Sequence, residues 1–146
     1  MSKIITLEER AEAKKDFLNN LLNFVNNSNG RFTLLELDYL RDKKHVGDNT
    51  DRRVWGVIKD SISNATFHLG RYGVRKTTDH YVTIRERENK ELITTLNNIS
   101  KWTRLNEDSS DTYFRIGKRN SSYDLNSFEL AVDRLKEMTV DIISKQ

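Results

Sequence analysis

Along the first part of the chain, apolar residues return at Leu18, Leu21, Leu22 and Val25, the three- and four-residue spacing of a helix with one buried stripe. Thr6 stands ahead of that stripe with Glu9 three positions on. A Thr side chain there accepts from an N–H that the helix start leaves unpaired, and the Glu reciprocates. The pattern predicts a helix from about Leu7 to Asn26. Asn27-Ser28-Asn29-Gly30 then supplies residues that tolerate left-handed backbone and stop it.

The same capping signature recurs at Thr33/Glu36 and at Asn126/Glu129. After the first of these, Leu34, Leu37, Tyr39 and Leu40 predict a short second helix that ends in the polar stretch through Gly47. Asn49 or Thr50 then caps a third, in which Val54, Trp55, Ile58 and Ile62 face inward and Arg52, Arg53, Lys59 and Ser63 face out. From Ala65 to Arg87 the chain turns to β-branched and aromatic residues (Thr66, Phe67, Tyr81, Val82, Thr83, Ile84) around a hinge at Gly70 to Gly73, which predicts a hairpin or wing. Leu92, Leu96 and Ile99 predict a helix from about Glu88 to Ser100. Trp102 to Leu105, a polar loop through Asp111, and Thr112 to Ile116 read as a second hairpin.

The last element is an amphipathic helix from about Ser127 to Ser144, with Phe128, Ala131, Val132, Leu135, Met138 and Ile142 on one stripe. Phe128, Leu135 and Ile142 recur every seven residues, as do Ala131 and Met138. Such a stripe either closes the domain's own core or joins two copies as a homodimer. The elements together predict an α+β fold in a single domain over 1–146: a winged-helix-like three-helix core with a β-hairpin over 1–87, then a second hairpin and a C-terminal amphipathic helix over 88–146.

At 146 residues the chain is long enough to bury a core without staples, and it holds no cysteine. Disulfides, thiolate metal sites and cysteine nucleophiles are thereby excluded, which fits a reducing compartment. The first twelve residues carry no apolar run of signal-peptide length, and no stretch approaches the roughly 20 apolar residues of a membrane span. The expectation is a cytoplasmic protein that is not exported and has no membrane partner. Its net charge is only +3. The distribution says more: between Arg41 and Arg87 eleven basic residues face six acidic ones, a net +5 that leaves −2 for the remainder. The middle third is therefore the expected face for a polyanion.

Phe32-Thr33-x-x-Glu36-Leu37, a polar turn, and then Asp51-Arg52-Arg53-Val54-Trp55-Gly56-Val57-Ile58 resemble the winged helix-turn-helix modules of small phage and mobile-element proteins, which often show Arg-x-Trp-Gly in the third helix. The resemblance covers roughly the first 85 residues. It implies that Trp55 and Gly56 are structural and that Arg52, Arg53 and Lys59 face DNA from a helix in the major groove. Arg71, Arg75 and Lys76, interleaved with Tyr72, would form a wing tip against phosphate or the minor groove. The plainer use of Arg52 and Arg53 is pairing with Asp48 or Asp51, and the plainer use of the wing cations is a solvated loop.

No catalytic constellation is legible. His45, His68 and His80 lack zinc-site spacing, Asp108, Asp111 and Asp124 lack catalytic neighbours, and Gly70-x-x-Gly73 is no phosphate loop. The expectation is a non-enzymatic DNA-binding protein without cofactor or metal, a phage or mobile-element regulator or accessory factor. The alternative is a small inhibitor of a host defence factor, of anti-CRISPR or anti-restriction type. In that case Trp102, Tyr113, Phe114 and Tyr123 would stand exposed as a docking patch; in the DNA-binding protein they belong to the core.

Overall fold

The computed structural model describes residues 6–37, 53–72, 80–107, 111–116 and 125–146. Helix α1 spans Leu7–Asn26, as its stripe predicts. The Thr6 hydroxyl accepts from the Glu9 N–H and Glu9 Oε1 accepts from the Thr6 N–H, each at 3.1 Å. Phe17, Leu18 and Leu21 are buried beneath it, and Asn29 and Gly30 take the positive φ that ends this part of the chain in a turn.

Strands β1 (Phe32–Leu37), β2 (Arg53–Asp60), β3 (Thr66–Tyr72) and β4 (His80–Arg85) follow, then two short 3-10 turns, a short helix α2 (Ile93–Asn97), strands β5 (Trp102–Glu107) and β6 (Asp111–Ile116), and helix α3 (Phe128–Lys145). The strands make one antiparallel sheet in the order β1-β2-β3-β4-β6-β5. The fold is α+β, with α1 against β1, β2 and β3 and α3 against β4. Phe17 of α1 meets Phe128 of α3 edge to face at 5.7 Å, so both helices share one side of the sheet. No described helix is long and apolar enough to cross a membrane.

Two expected helices are strands. Residues 32–37 form β1 with a bulge between Leu34 and Glu36, so Thr33 and Glu36 are strand residues rather than a cap. The expected third helix is β2. Its apolar spacing fits a helical stripe only if Ile62 is buried, and Ile62 is 58 % exposed. The set that faces the helices instead has period two: Val54, Gly56 and Ile58. Val54, Trp55, Val57 and Ile58 favour extended backbone, and a glycine in mid-helix would cost about 1 kcal/mol. The three-helix winged core gives way to a sheet-centred architecture. Tyr39, Leu40 and Gly47 lie outside the described residues.

The two later hairpin strands on each side agree with expectation, except that Gly70 lies inside β3 rather than at a hinge. The Tyr81 ring covers it, where any side chain would collide. The helix expected from Glu88 to Ser100 is broken into Glu86–Glu88, Lys90–Leu92 and α2, although Leu92, Leu96 and Ile99 are buried as predicted. Asn89 causes the break. Its buried side chain donates to Thr66 O (3.0 Å) and Arg85 O (2.7 Å) and accepts from Thr66 N–H (2.7 Å), bolting the turn to β3. At the C-terminal helix the cap is Ser127, one residue after Asn126, and Ala131, Leu135, Met138 and Ile142 close the chain's own core.

Candidate functional site

Alternation along β2 and β3 divides the expected cation set between two faces. Val54 and Ile58 join the core, so Lys59 points to the side away from the helices; Phe67 and Leu69 join the core, so Arg71 points to the helix side. Arg71 is 7 % exposed. Arg53 begins β2 opposite Tyr72. Arg52, Arg75 and Lys76 lie outside the described residues, as do Tyr123 and His45. Arg53 and Lys59 are therefore strand residues rather than members of a helix face, and Arg71 is a buried residue of β3 rather than an exposed wing tip.

On the side away from the helices, half-buried Lys59 lines a groove of about 290 Å³ with Arg87 and Lys90, beside Asn64, Thr66 and Asn89. The groove exists because Asn89 pins the turn after β4 against Thr66, which carries Arg87 and Lys90 towards the end of β2. Glu88 and Glu91 also line it. Glu88 is committed elsewhere: its Oε1 lies 2.8 Å from His68 Nε2. Burial works against the Glu88 carboxylate, but the bond from His68 and the charges of Arg87 and Arg85 hold it below the usual range.

The sheet surface next to this groove is aromatic and basic. Trp55, half-buried, stacks on His68 with ring centroids 5.6 Å apart, opposite to the core role the sequence suggested for it. Tyr81 lies over Gly70, and Arg85 pairs in register with the half-buried Tyr113. Gly56, by contrast, is structural as expected: Leu21 of α1 occupies the space a side chain would need. Trp102 and Phe114 are buried (8 % and 2 %), with the Trp102 indole N–H donating to Asp141 at 2.9 Å. Those two rings are therefore absent from the surface. Arg85, Arg87 and Lys90 were missed because no sequence period links them to Lys59; only the Asn89 bolt brings them together.

On the helix side a second concavity, about 460 Å³, opens between the N-terminal half of α1 and the start of α3. Arg71 and His80 are buried at its lining, with Phe17 and Phe128, and carboxylates from both helices surround it. His80 anchors the region through a two-way backbone bridge with Leu125. Burial, aided by the Arg71 charge, pushes the imidazole down to about 4, against the opposing pull of Glu129 and the bond to Leu125. His68 and His80 thus lie on opposite sides of the sheet. Comparison with protein-family models, with curated proteins and with solved structures found nothing that matches this chain.

Proposed function

We propose that this chain binds DNA, as a regulator or accessory factor, and that it does so with the sheet side away from the helices rather than with a recognition helix. The observation that carries the reading is the convergence of Lys59, Arg87 and Lys90 on one groove, next to a sheet surface bearing Trp55 and Arg85. Long cations along a groove match a phosphate backbone, and rings beside it offer unpaired bases a stacking surface. Affinity then comes chiefly from phosphate contacts and falls steeply with salt.

The test is binding of duplex and single-stranded oligonucleotides across a salt series, comparing the wild type with the Lys59→Ala/Arg87→Ala/Lys90→Ala variant. Each lost phosphate contact is expected to make the log–log salt slope on duplex shallower by about 0.9. No binding at low salt, or an unchanged slope in the variant, overturns the reading. One observation favours the protein-partner alternative: Leu35 on β1, which forms an edge of the sheet, and Ile62 in the turn between β2 and β3 are both exposed. A partner strand added to β1 would cover Leu35, and Leu35→Lys would then abolish partner capture while leaving DNA binding intact.

A further inference from the structure

We propose that the cleft between α1 and α3 binds a small organic cation, a molecule with an ammonium group on an apolar body. The cleft is independent of the DNA groove, because the sheet separates them. Its volume of about 460 Å³ falls within the usual range for small-molecule sites, roughly 300 to 1,000 Å³.

Charge sets the sign of the ligand. Glu12 and Asp16 from α1 and Glu129 from the first turn of α3 line the cleft, and among the described residues none of the three is held in a salt bridge. Arg71 is the only cation among the described lining residues, so the carboxylates outnumber it. A ligand carrying positive charge relieves their mutual repulsion; an anion adds to it.

The second observation is independent of the carboxylates. His80 lines the cleft, is 6 % exposed, and its Nδ1 has no hydrogen-bond partner among the described residues. A buried polar atom without a partner is uncommon and points to a missing one. Because the ring stays neutral at ordinary pH, one of its nitrogens keeps a lone pair, and with the proton on Nε2 that nitrogen is Nδ1. An ammonium N–H is the matching donor. Phe128, half-buried, supplies an aromatic wall for the apolar body and for the cation itself, backed by the buried Phe17 whose ring lies 6.0 Å from that of His80. A metal ion fits less well, since among the described residues no three His, Asp or Glu groups converge to hold one.

The test titrates the full chain with phenethylamine and follows the His80 ring signals by NMR, with phenylacetate as the probe of the same body and opposite charge. Phenethylamine is expected to give a saturable shift of His80 and not of His68, and phenylacetate none. Glu129→Gln and Asp16→Asn, both at the surface end of the cleft, are each expected to weaken binding several-fold, and His80→Phe by about tenfold or more. If His80→Phe fails to fold, the two carboxylate variants carry the test. Absence of a saturable shift at millimolar phenethylamine, equal binding of phenylacetate, or indifference of the carboxylate variants each overturns the proposal.

Discussion

Two buried ionisable residues each withdraw stability as pH falls, in different ranges of the scale. Asp60, fully buried, accepts from Arg31 Nε at 2.8 Å, from the Ser63 hydroxyl at 2.7 Å and from the backbone N–H groups of Ile62 and Ser63. Burial alone would raise its carboxyl, but these donors outweigh it and hold the group below its ordinary 3.8. The resulting stability is complete above that value and is lost as pH falls through the lower folded one. Asp60→Asn should cost about 2 to 4 kcal/mol in urea unfolding at pH 7, since several charge-assisted bonds weaken at once and Arg31 loses its partner. A cost below 0.5 kcal/mol would mean that this node does not organise the β2–β3 turn. His80 acts earlier on the scale. Its folded value of about 4 lies below the ordinary 6.5, so between those limits the unfolded chain takes up a proton that the native one refuses. Stability is full above 6.5 and falls by roughly 3 kcal/mol as pH drops towards 4. Urea midpoints at pH 7, 5.5 and 4.5 check this: the decline should be present in the wild type and much reduced in His80→Phe.

At the scale of elements, Asn89 does for the turn after β4 what a cap does for a helix. Asn89→Ala strands the Thr66 N–H and two carbonyls in a largely buried setting, with an expected cost of about 1 to 3 kcal/mol. The same variant should weaken DNA binding although it removes no charge, because Arg87 and Lys90 lose their placement beside Lys59; full retention of affinity would separate the bolt from the groove. How much was legible divides along the same line. α1 could be read because capping chemistry and a helical stripe coincide, α3 from its stripe although its cap is Ser127 and not Asn126, and β3 to β6 because β-branched and aromatic runs are bounded by polar turns. β2 could not. Val54, Ile58 and Ile62 satisfy a helical period by themselves, and what decides for a strand is pairing with β1 and β3 and the approach of Leu21 to Gly56, neither of which is local. The candidate site followed that error: a mistaken helix grouped Lys59 with Arg52 and Arg53, whereas a strand and a side-chain bolt group it with Arg87 and Lys90.

Across the whole molecule, the question is whether the meander β1 to β4 and the later β5, β6 and α3 unfold together. The seam within the sheet is short, with Ile84 against Phe114 and Arg85 against Tyr113. The core is continuous all the same, running from Phe17, Leu21 and Ile58 to Trp102, Leu135 and Ile142. Among the described residues, contacts that cross between the halves include the Phe17–Phe128 edge contact, the His80–Leu125 bridge, and Gln146 Nε2 donating to Ser63 O at 2.8 Å. Apolar burial spread over both halves makes partial opening expensive, so one cooperative transition is expected. The two tryptophans report on the two sides, Trp55 from β2 and Trp102 from β5. Single-tryptophan variants, Trp55→Phe and Trp102→Phe, should each unfold in urea with fluorescence and circular dichroism midpoints that coincide. Leu135→Ala, made in each background, should lower both midpoints together, by the equivalent of about 2 to 5 kcal/mol. If Trp102 melts at lower urea than Trp55, or if Leu135→Ala moves only the Trp102 transition, then the short β4–β6 seam is a boundary between two units and the shared core does not couple them.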